Sequence, residues 1–189
     1  EVIFEVLNEP HGELTAELWN ALLPEALNII RVHNPNRTVM IGAAEWGGIP
    51  GLMKLEVPDD NNLIVTVHYY EPFEFTHQGA EWVQGVDANE WLGTTWEGSA
   101  AEVKAISDHF QQIVDWGAQR NIPINIGEFG AYSKADSESR ARWTAEIVAF
   151  ALDHNMSFHY WEFASGFGIY NPDSRTWNFD LRNALINTQ

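Results

Sequence analysis

The chain has 189 residues, of which 45% are hydrophobic and 13% aromatic, so it is long enough for one domain with a core and too apolar to be disordered. Its 27 acidic and 10 basic residues give a formal net charge of -17, which repels phosphate backbones and anionic lipid surfaces and disfavours nucleic acid or a membrane as a partner. The absence of cysteine excludes disulfides, thiolate metal sites and a cysteine nucleophile.

The first predicted element is a strand over residues 2–7, because this run is apolar and rich in β-branched residues. Glu5 lies in the middle of it and is expected to be buried. A helix is predicted over 14–32, with Thr15 as its N-cap, and strands are predicted over 38–43 and 62–70. The residues predicted to form the buried face of the helix are Leu18, Leu22 and Ile29.

The second part of the chain continues the alternation of helices and strands. A helix over 100–118 precedes a strand over 123–129, and Asp136 or Ser137 is expected to cap the next helix. A strand over 157–163 and a short helix over 181–186 complete the predicted elements.

Five strands in βα order, with no internal repeat and no low-complexity linker, leave two architectures open: a doubly wound sheet and an arc of a (β/α)8 barrel. The segment 166–168 lacks the third glycine of a dinucleotide-binding fingerprint. Most polar and aromatic residues suited to chemistry stand at the C-terminal ends of the predicted strands, where barrel enzymes assemble their sites. We therefore expect a partial (β/α)8 TIM barrel, forming a single domain over residues 1–189.

Two glutamates, Glu9 and Glu128, stand at the ends of non-adjacent predicted strands. Cleavage of a glycosidic bond needs such a pair, because one carboxyl group donates a proton while the other stays ionised. Pro10 is expected to hold the backbone of Glu9 extended, and Gly127 is expected to let another group come close beside Glu128. The pair predicts a glycoside hydrolase site.

His68 and Tyr70 are two residues apart on one strand, so their side chains leave the same side of the sheet, where they can hold a carboxylate and a sugar hydroxyl. Trp46, Trp82 and Trp161 offer flat faces on which sugar rings stack. The chain has no His-Glu-x-x-His motif and no calcium-loop pattern, so neither a metal nor another cofactor is expected.

Four blocks of sequence closely resemble the second half of family 5 of the glycoside hydrolases, in particular bacterial endo-β-1,4-glucanases of the thermophilic type, some of which also cut mannan. The resemblance runs over the whole chain, and the four blocks occur in the family's order. They are "VIFEVLNEP", "IVTVHYYEPFEFTHQGAEW", "INIGEFGAY" and "YWEFASGFGIYN".

The resemblance implies a role for each matching residue. Glu9 matches the acid/base on barrel strand four and Glu128 the nucleophile on strand seven, while Asn8 matches a residue that contacts the sugar 2-hydroxyl. His68 and Tyr70 match the strand-six pair, and Trp161 matches the strand-eight platform. The residues expected to bind substrate are Asn8, Trp46, His68, Tyr70, Trp82, Trp161 and Glu162.

The resemblance also implies that the first strand is barrel strand four, with the first three βα units absent. Both edge strands would then carry unpaired backbone groups, which predicts a homo-oligomer or pairing with the N-terminal half. The expected function is that of a secreted, extracellular, retaining endo-β-1,4-glucanase acting on a β-1,4-linked polysaccharide. The alternative is an inactive half-barrel that binds saccharide or self-assembles without catalysis.

Overall fold

Five strands form the central sheet in the computed structural model, which describes residues 2–186. Their order in the sheet follows the chain, β1-β2-β3-β4-β5, and β1, β2 and β3 pair in parallel. The strands are β1 (Phe4–Glu5), β2 (Val39–Gly42), β3 (Leu63–His68), β4 (Ile124–Glu128) and β5 (Ser157–Phe158).

Helices follow the strands, as the alternating pattern predicts. They are α1 (Ala16–His33), α2 (Ile49–Leu52), α3 (Phe73–Thr76), α4 (Ala100–Arg120), α5 (Ser137–Asp153) and α6 (Phe179–Ile186), with one 3₁₀ turn at Ala88–Trp91. Among residues 2–186, no helix has both the length and the apolar character needed to cross a membrane.

The chain divides into two units. One comprises Glu1–His68 with Gln111–Gly127, and the other comprises Tyr69–Phe110 with Glu128–Gln189. The expected single domain over 1–189 stays a prediction.

In the first unit, α1 buries a different face from the predicted one. Thr15 caps the helix as expected, its side chain accepting a bond from the Leu18 N–H. Trp19, Leu23 and Leu27 face the core, and the Trp19 indole donates to the carbonyl of Gly42 at 2.8 Å. The largest side chain of the helix therefore sets which stripe is buried. The predicted face was wrong, since it is exposed at Leu18, Leu22 and Ile29.

The strand predicted over residues 2–7 is only two residues long, and the expectation of a buried Glu5 was wrong, because Glu5 is exposed. β1 stands at one end of the strand order, with β2 as its neighbour. Its flanking residues Val2, Ile3 and Leu7 are exposed as well. An apolar run indicates burial only where a second layer covers it.

In the second unit, α5 begins as predicted, with Asp136 rather than Ser137 as the cap, accepting from the Ser139 N–H at 2.8 Å. Trp143 and Ile147 are buried on its inner face. The strand predicted over 157–163 ends at Phe158. Beyond it an unpredicted antiparallel hairpin forms from β6 (Tyr170–Asn171) and β7 (Thr176–Trp177).

Candidate active site

The first carboxylate, Glu9, is held in the first unit by the histidine that ends β3. The Nδ1 atom of His68 lies 2.7 Å from Oε1 of Glu9. The side chain of His68 is 6% exposed, whereas that of Glu9 is 25% exposed. A buried imidazole therefore orients a carboxyl group that is still open to a ligand.

The backbone places Glu9 by a sharp turn rather than by extension. Its φ is 45°, in the left-handed region, so the expected extended conformation was wrong. Pro10, which follows, is buried, and the Nδ1 atom of His11 lies 2.6 Å from the Glu9 carbonyl oxygen. The turn directs the chain away from the sheet directly after the carboxylate. Sequence reasoning missed His11, although its position next to the Asn-Glu-Pro motif was a signal.

Two glycines make room for His68. Gly47 has a φ of 70°, its carbonyl accepts the His68 N–H at 3.0 Å, and an added Cβ would lie 3.4 Å from the imidazole. At Gly127 an added Cβ would lie 2.0 Å from Thr66 Oγ1 and 3.2 Å from the imidazole. The groups that come close to Gly127 are therefore side chains of the first unit, Thr66 and His68.

Trp46 forms an exposed aromatic surface after β2. It lies in a run of three left-handed residues, Glu45, Trp46 and Gly47, with φ values of 58°, 58° and 70°. Its ring stacks on His11 with centroids 4.8 Å apart and planes at 15°, and the residue is 56% exposed. Glu45 forms an ion pair with Lys54. The indole is therefore fixed on one face and open on the other.

The second carboxylate, Glu128, is held in the second unit. The Tyr70 hydroxyl donates to Oε2 of Glu128 at 3.0 Å, and the Tyr69 N–H donates to the Glu128 carbonyl at 2.8 Å. The Tyr70 ring packs edge-on against His77, with centroids 5.0 Å apart, and against Phe167. The predicted partnership of Tyr70 with a carboxylate is present in this geometry.

His77 is a residue whose place the sequence did not reveal. It follows α3, is 9% exposed, and its Nδ1 lies 2.9 Å from Thr76 Oγ1. Its ring stacks on Phe73 at 4.1 Å. Trp82 is 51% exposed and packs edge-on against Tyr132 at 4.9 Å.

Trp161 and Glu162 follow β5 and differ in their availability to a ligand. Trp161 is 46% exposed, and its backbone N–H donates to the Phe129 carbonyl at 2.8 Å. The carboxylate of Glu162 accepts three backbone N–H groups of its own loop, at 2.8 to 3.2 Å. These bonds fix the loop after Trp161, and substrate binding by Glu162 stays a prediction. Asn8 is exposed beside Glu9.

The match to a protein-family model decides the family. The model described as "Cellulase (glycosyl hydrolase family 5)" matches residues 1–166. The chain belongs to glycosyl hydrolase family 5. The expected membership of this family is confirmed, while the role of each residue in the site stays a prediction.

Individual relatives agree with this membership. Endoglucanase H of Acetivibrio thermocellus is 35% identical over 192 residues, which cover 98% of this chain and 20% of that protein. A structure of Thermotoga maritima Cel5A in complex with cellobiose is 54% identical, with a TM-score of 0.94, and a complex of the same enzyme with mannotriose has the same identity and TM-score.

The chain spans 59% of the length of the Cel5A chain, while 97% of the chain is matched. This coverage, together with the βα order and the five-stranded sheet of the chain, confirms the predicted partial (β/α)8 barrel of family 5.

Proposed function

We propose that the chain provides the catalytic carboxylates of a retaining endo-β-1,4-glucanase. The observation that carries the proposal is that each carboxylate is held by a hydrogen-bonding side chain of its own unit, Glu9 by His68 and Glu128 by Tyr70. The proposal is that these two carboxylates act on the same glycosidic linkage, one as acid/base and the other as nucleophile.

The proposed reaction has two steps. A Glu128 oxygen forms a bond to the anomeric carbon while the glycosidic C–O bond breaks, and Glu9 gives its proton to the leaving oxygen. Water then attacks the anomeric carbon, its proton passes to Glu9, and the carboxylate of Glu128 is released. The steps need only the two carboxyl groups, the linkage and water, so the proposal includes neither a cofactor nor a metal.

The hydrogen-bonded neighbours fit these two roles. The hydroxyl of Tyr70 donates to one oxygen of Glu128, which holds the carboxylate in a fixed orientation for attack on the anomeric carbon. Glu9 must exchange a proton twice, and it lies at hydrogen-bond distance from an imidazole, whose two nitrogens can donate or accept. His68 therefore keeps the Glu9 carboxyl group in place during both steps.

Exposed tryptophans supply stacking surfaces for a β-1,4-glycan. Trp46 is held next to Glu9 through His11, which supports a role for it on the side of the leaving group. Trp82 and Trp161 offer further faces in the second unit. Complexes of Thermotoga maritima Cel5A contain cellobiose and mannotriose, which supports glucan with mannan as the substrate class. Because such polymers lie outside cells, we propose that the protein acts extracellularly.

The first unit carries apolar surface that suits a partner. Val2, Ile3 and Leu7 are exposed around β1, and α1 has a second apolar stripe on its outer face. We propose that the remaining βα units of a barrel, or a second copy of the chain, cover this surface. The exposed residues of the stripe are Leu18, Leu22, Ile29 and Val32.

A second candidate function is saccharide binding or self-assembly without catalysis, since the exposed Trp46, Trp82 and Trp161 can stack on sugar rings without any reaction. Hydrolysis of carboxymethyl-cellulose by the purified 189-residue chain distinguishes the two. The proposed enzyme releases reducing ends, and Glu9→Gln and Glu128→Gln each abolish this release while binding of cello-oligosaccharides persists. Full turnover by either variant contradicts the catalytic assignment.

A further inference from the structure

The loop that follows Trp161 forms a cleft with no role in the proposed reaction. It has a volume of about 500 Å³ and is lined by residues 164–165, 168–173 and 176–178, together with Ser133 and Arg140. The volume falls within the range of small-molecule sites, roughly 300–1,000 Å³. All of these residues belong to the second unit.

Backbone bonds form this cleft in advance of any ligand. The N–H groups of Ile169 and Tyr170 both donate to the Phe163 carbonyl, at 3.0 and 2.9 Å, and the Asn178 N–H donates to Ile169 at 2.8 Å. The side-chain oxygen of Asn171 accepts the N–H groups of residues 173 and 174 at 3.0 Å, which closes the hairpin turn. A ligand would therefore meet a largely preformed surface, at a low cost in ordering.

An exposed tryptophan stands at the edge of the cleft. Trp177 is 38% exposed and packs edge-on against Tyr170 at 5.2 Å and Phe163 at 5.7 Å. Phe163 and Tyr170 stack on each other at 5.5 Å, and the Arg182 guanidinium lies 5.7 Å from the Trp177 ring. These contacts fix the indole while leaving part of it in solvent. A fixed flat ring beside polar groups matches the alternating C–H and hydroxyl surfaces of a sugar.

Charge selects a neutral ligand over an anionic one. Arg140 lines the cleft at 5% exposure, but its Nε and Nη2 donate to the backbone carbonyls of Ala131 and Phe167, both at 2.9 Å. Asp173 lines the same cleft, and the chain carries a net charge of -17. The net charge of the chain disfavours a phosphate or carboxylate ligand, whereas it does not act against uncharged hydroxyl groups.

We infer that this hairpin cleft is a second carbohydrate site, which binds glucosyl or mannosyl units of the β-1,4-glycan beyond those that stack on Trp161. The inference rests on the proposed function for the identity of the glycan. The two surfaces lie on one continuous loop of the second unit, from Trp161 to Asn178. Long chains would therefore gain contacts that short oligosaccharides cannot reach.

Calorimetric titration with cellohexaose and cellotriose tests the site, in a Glu128→Gln background that prevents turnover. Trp177→Ala should lower the affinity for cellohexaose about tenfold, the scale of one lost stacking contact, and leave that for cellotriose within about twofold. Phe179→Ala is the matched control, since Phe179 is an aromatic residue of the same unit, 59% exposed and outside the cleft lining. It should change neither affinity.

A measurement that leaves Trp177 unsubstituted keeps the inference testable even if the Trp177→Ala variant misfolds. In ¹⁵N-labelled Glu128→Gln protein with an intact cleft, cellohexaose should shift the amide resonances of residues 164–178 and the Trp177 indole N–H, while cellotriose should leave them in place. A folded Trp177→Ala variant with undiminished cellohexaose affinity, or the absence of these shifts, overturns the inference. Hydrolysis of carboxymethyl-cellulose by the unsubstituted chain is scored separately, so an active enzyme without the cleft effect refutes only the second site.

Discussion

Gly127 is a position beside the site where one added methyl group should have a large effect on stability. Alanine would bring its Cβ to 2.0 Å from Thr66 Oγ1 and 3.2 Å from the His68 ring. Thr66 is 2% exposed and its hydroxyl donates to Asn125 Oδ1 at 3.1 Å, so it cannot move into solvent. Overpacking of this kind costs about 1–3 kcal/mol, and the short contact points to the upper end. At roughly 2–4 °C per kcal/mol, Gly127→Ala should lower the Tm by about 6–12 °C.

Thermal unfolding of four further variants isolates this cause. Thr66→Ala loses a buried hydrogen bond and costs about 1–3 kcal/mol by itself. In the Thr66→Ala background, Gly127→Ala should cost at least about 1 kcal/mol less than it costs in the parent. Gly42→Ala is the matched control, because its Cβ would meet the Thr66 methyl at an ordinary 3.6 Å. The set comprises both single alanine variants at 66 and 42, the 66/127 double alanine variant and a Thr66→Ser/Gly127→Ala variant, which keeps the clashing hydroxyl. A Gly127→Ala protein that melts within 1 °C of the parent, or additive single and double variants, refutes the reasoning.

Three other outcomes follow from single contacts. Tyr70→Phe removes the hydroxyl that donates to Glu128, so kcat on carboxymethyl-cellulose should fall about 10- to 100-fold with little change in KM; an unchanged kcat would contradict the proposed positioning. The hydrogen bond from Arg31 lowers the pKa of Asp60 below its unfolded value of about 3.9, so the ion pair stabilises fully above about pH 5, and this contribution is lost as pH falls through the folded pKa. Asp60→Asn should therefore melt earlier than the parent at pH 7, the difference should shrink as pH falls below about 4, and a constant difference across pH would be inconsistent. Trp19→Phe loses its indole bond to β2 and buried volume, which should cost about 1–3 kcal/mol in denaturant unfolding.

Local sequence predicted the strongly patterned elements well. α4 and α5 begin where their caps and apolar spacing indicated, and β2 is buried along all four residues. The buried face of α1 was wrong because two stripes of this helix are apolar, and only tertiary contact with Trp19 selects between them. The expectation of a buried Glu5 was wrong for a related reason, since periodicity indicates apolar character and not the presence of a covering layer.

The site could be predicted in outline and not in its detail. Glu9, Glu128, His68 and Tyr70 stood out because strand ends of a barrel collect functional groups, and two hydrogen bonds join them in pairs. The left-handed turn at Glu9 was not predicted, because residues before proline favour extended backbone. The loop bonds of Glu162 were equally hidden, since a carboxylate at a strand end suits a ligand and a backbone cap alike.

Trapping of the covalent intermediate tests the central proposal most directly. A 2-deoxy-2-fluoro cellobioside with a good leaving group should label the chain, alone or completed by the remaining barrel units, and peptide mass spectrometry should place the sugar on Glu128. Glu128→Gln should take no label. Labelling of a different residue, or hydrolysis that releases the inverted anomer first, would contradict the assignment of Glu128 as nucleophile and Glu9 as acid/base.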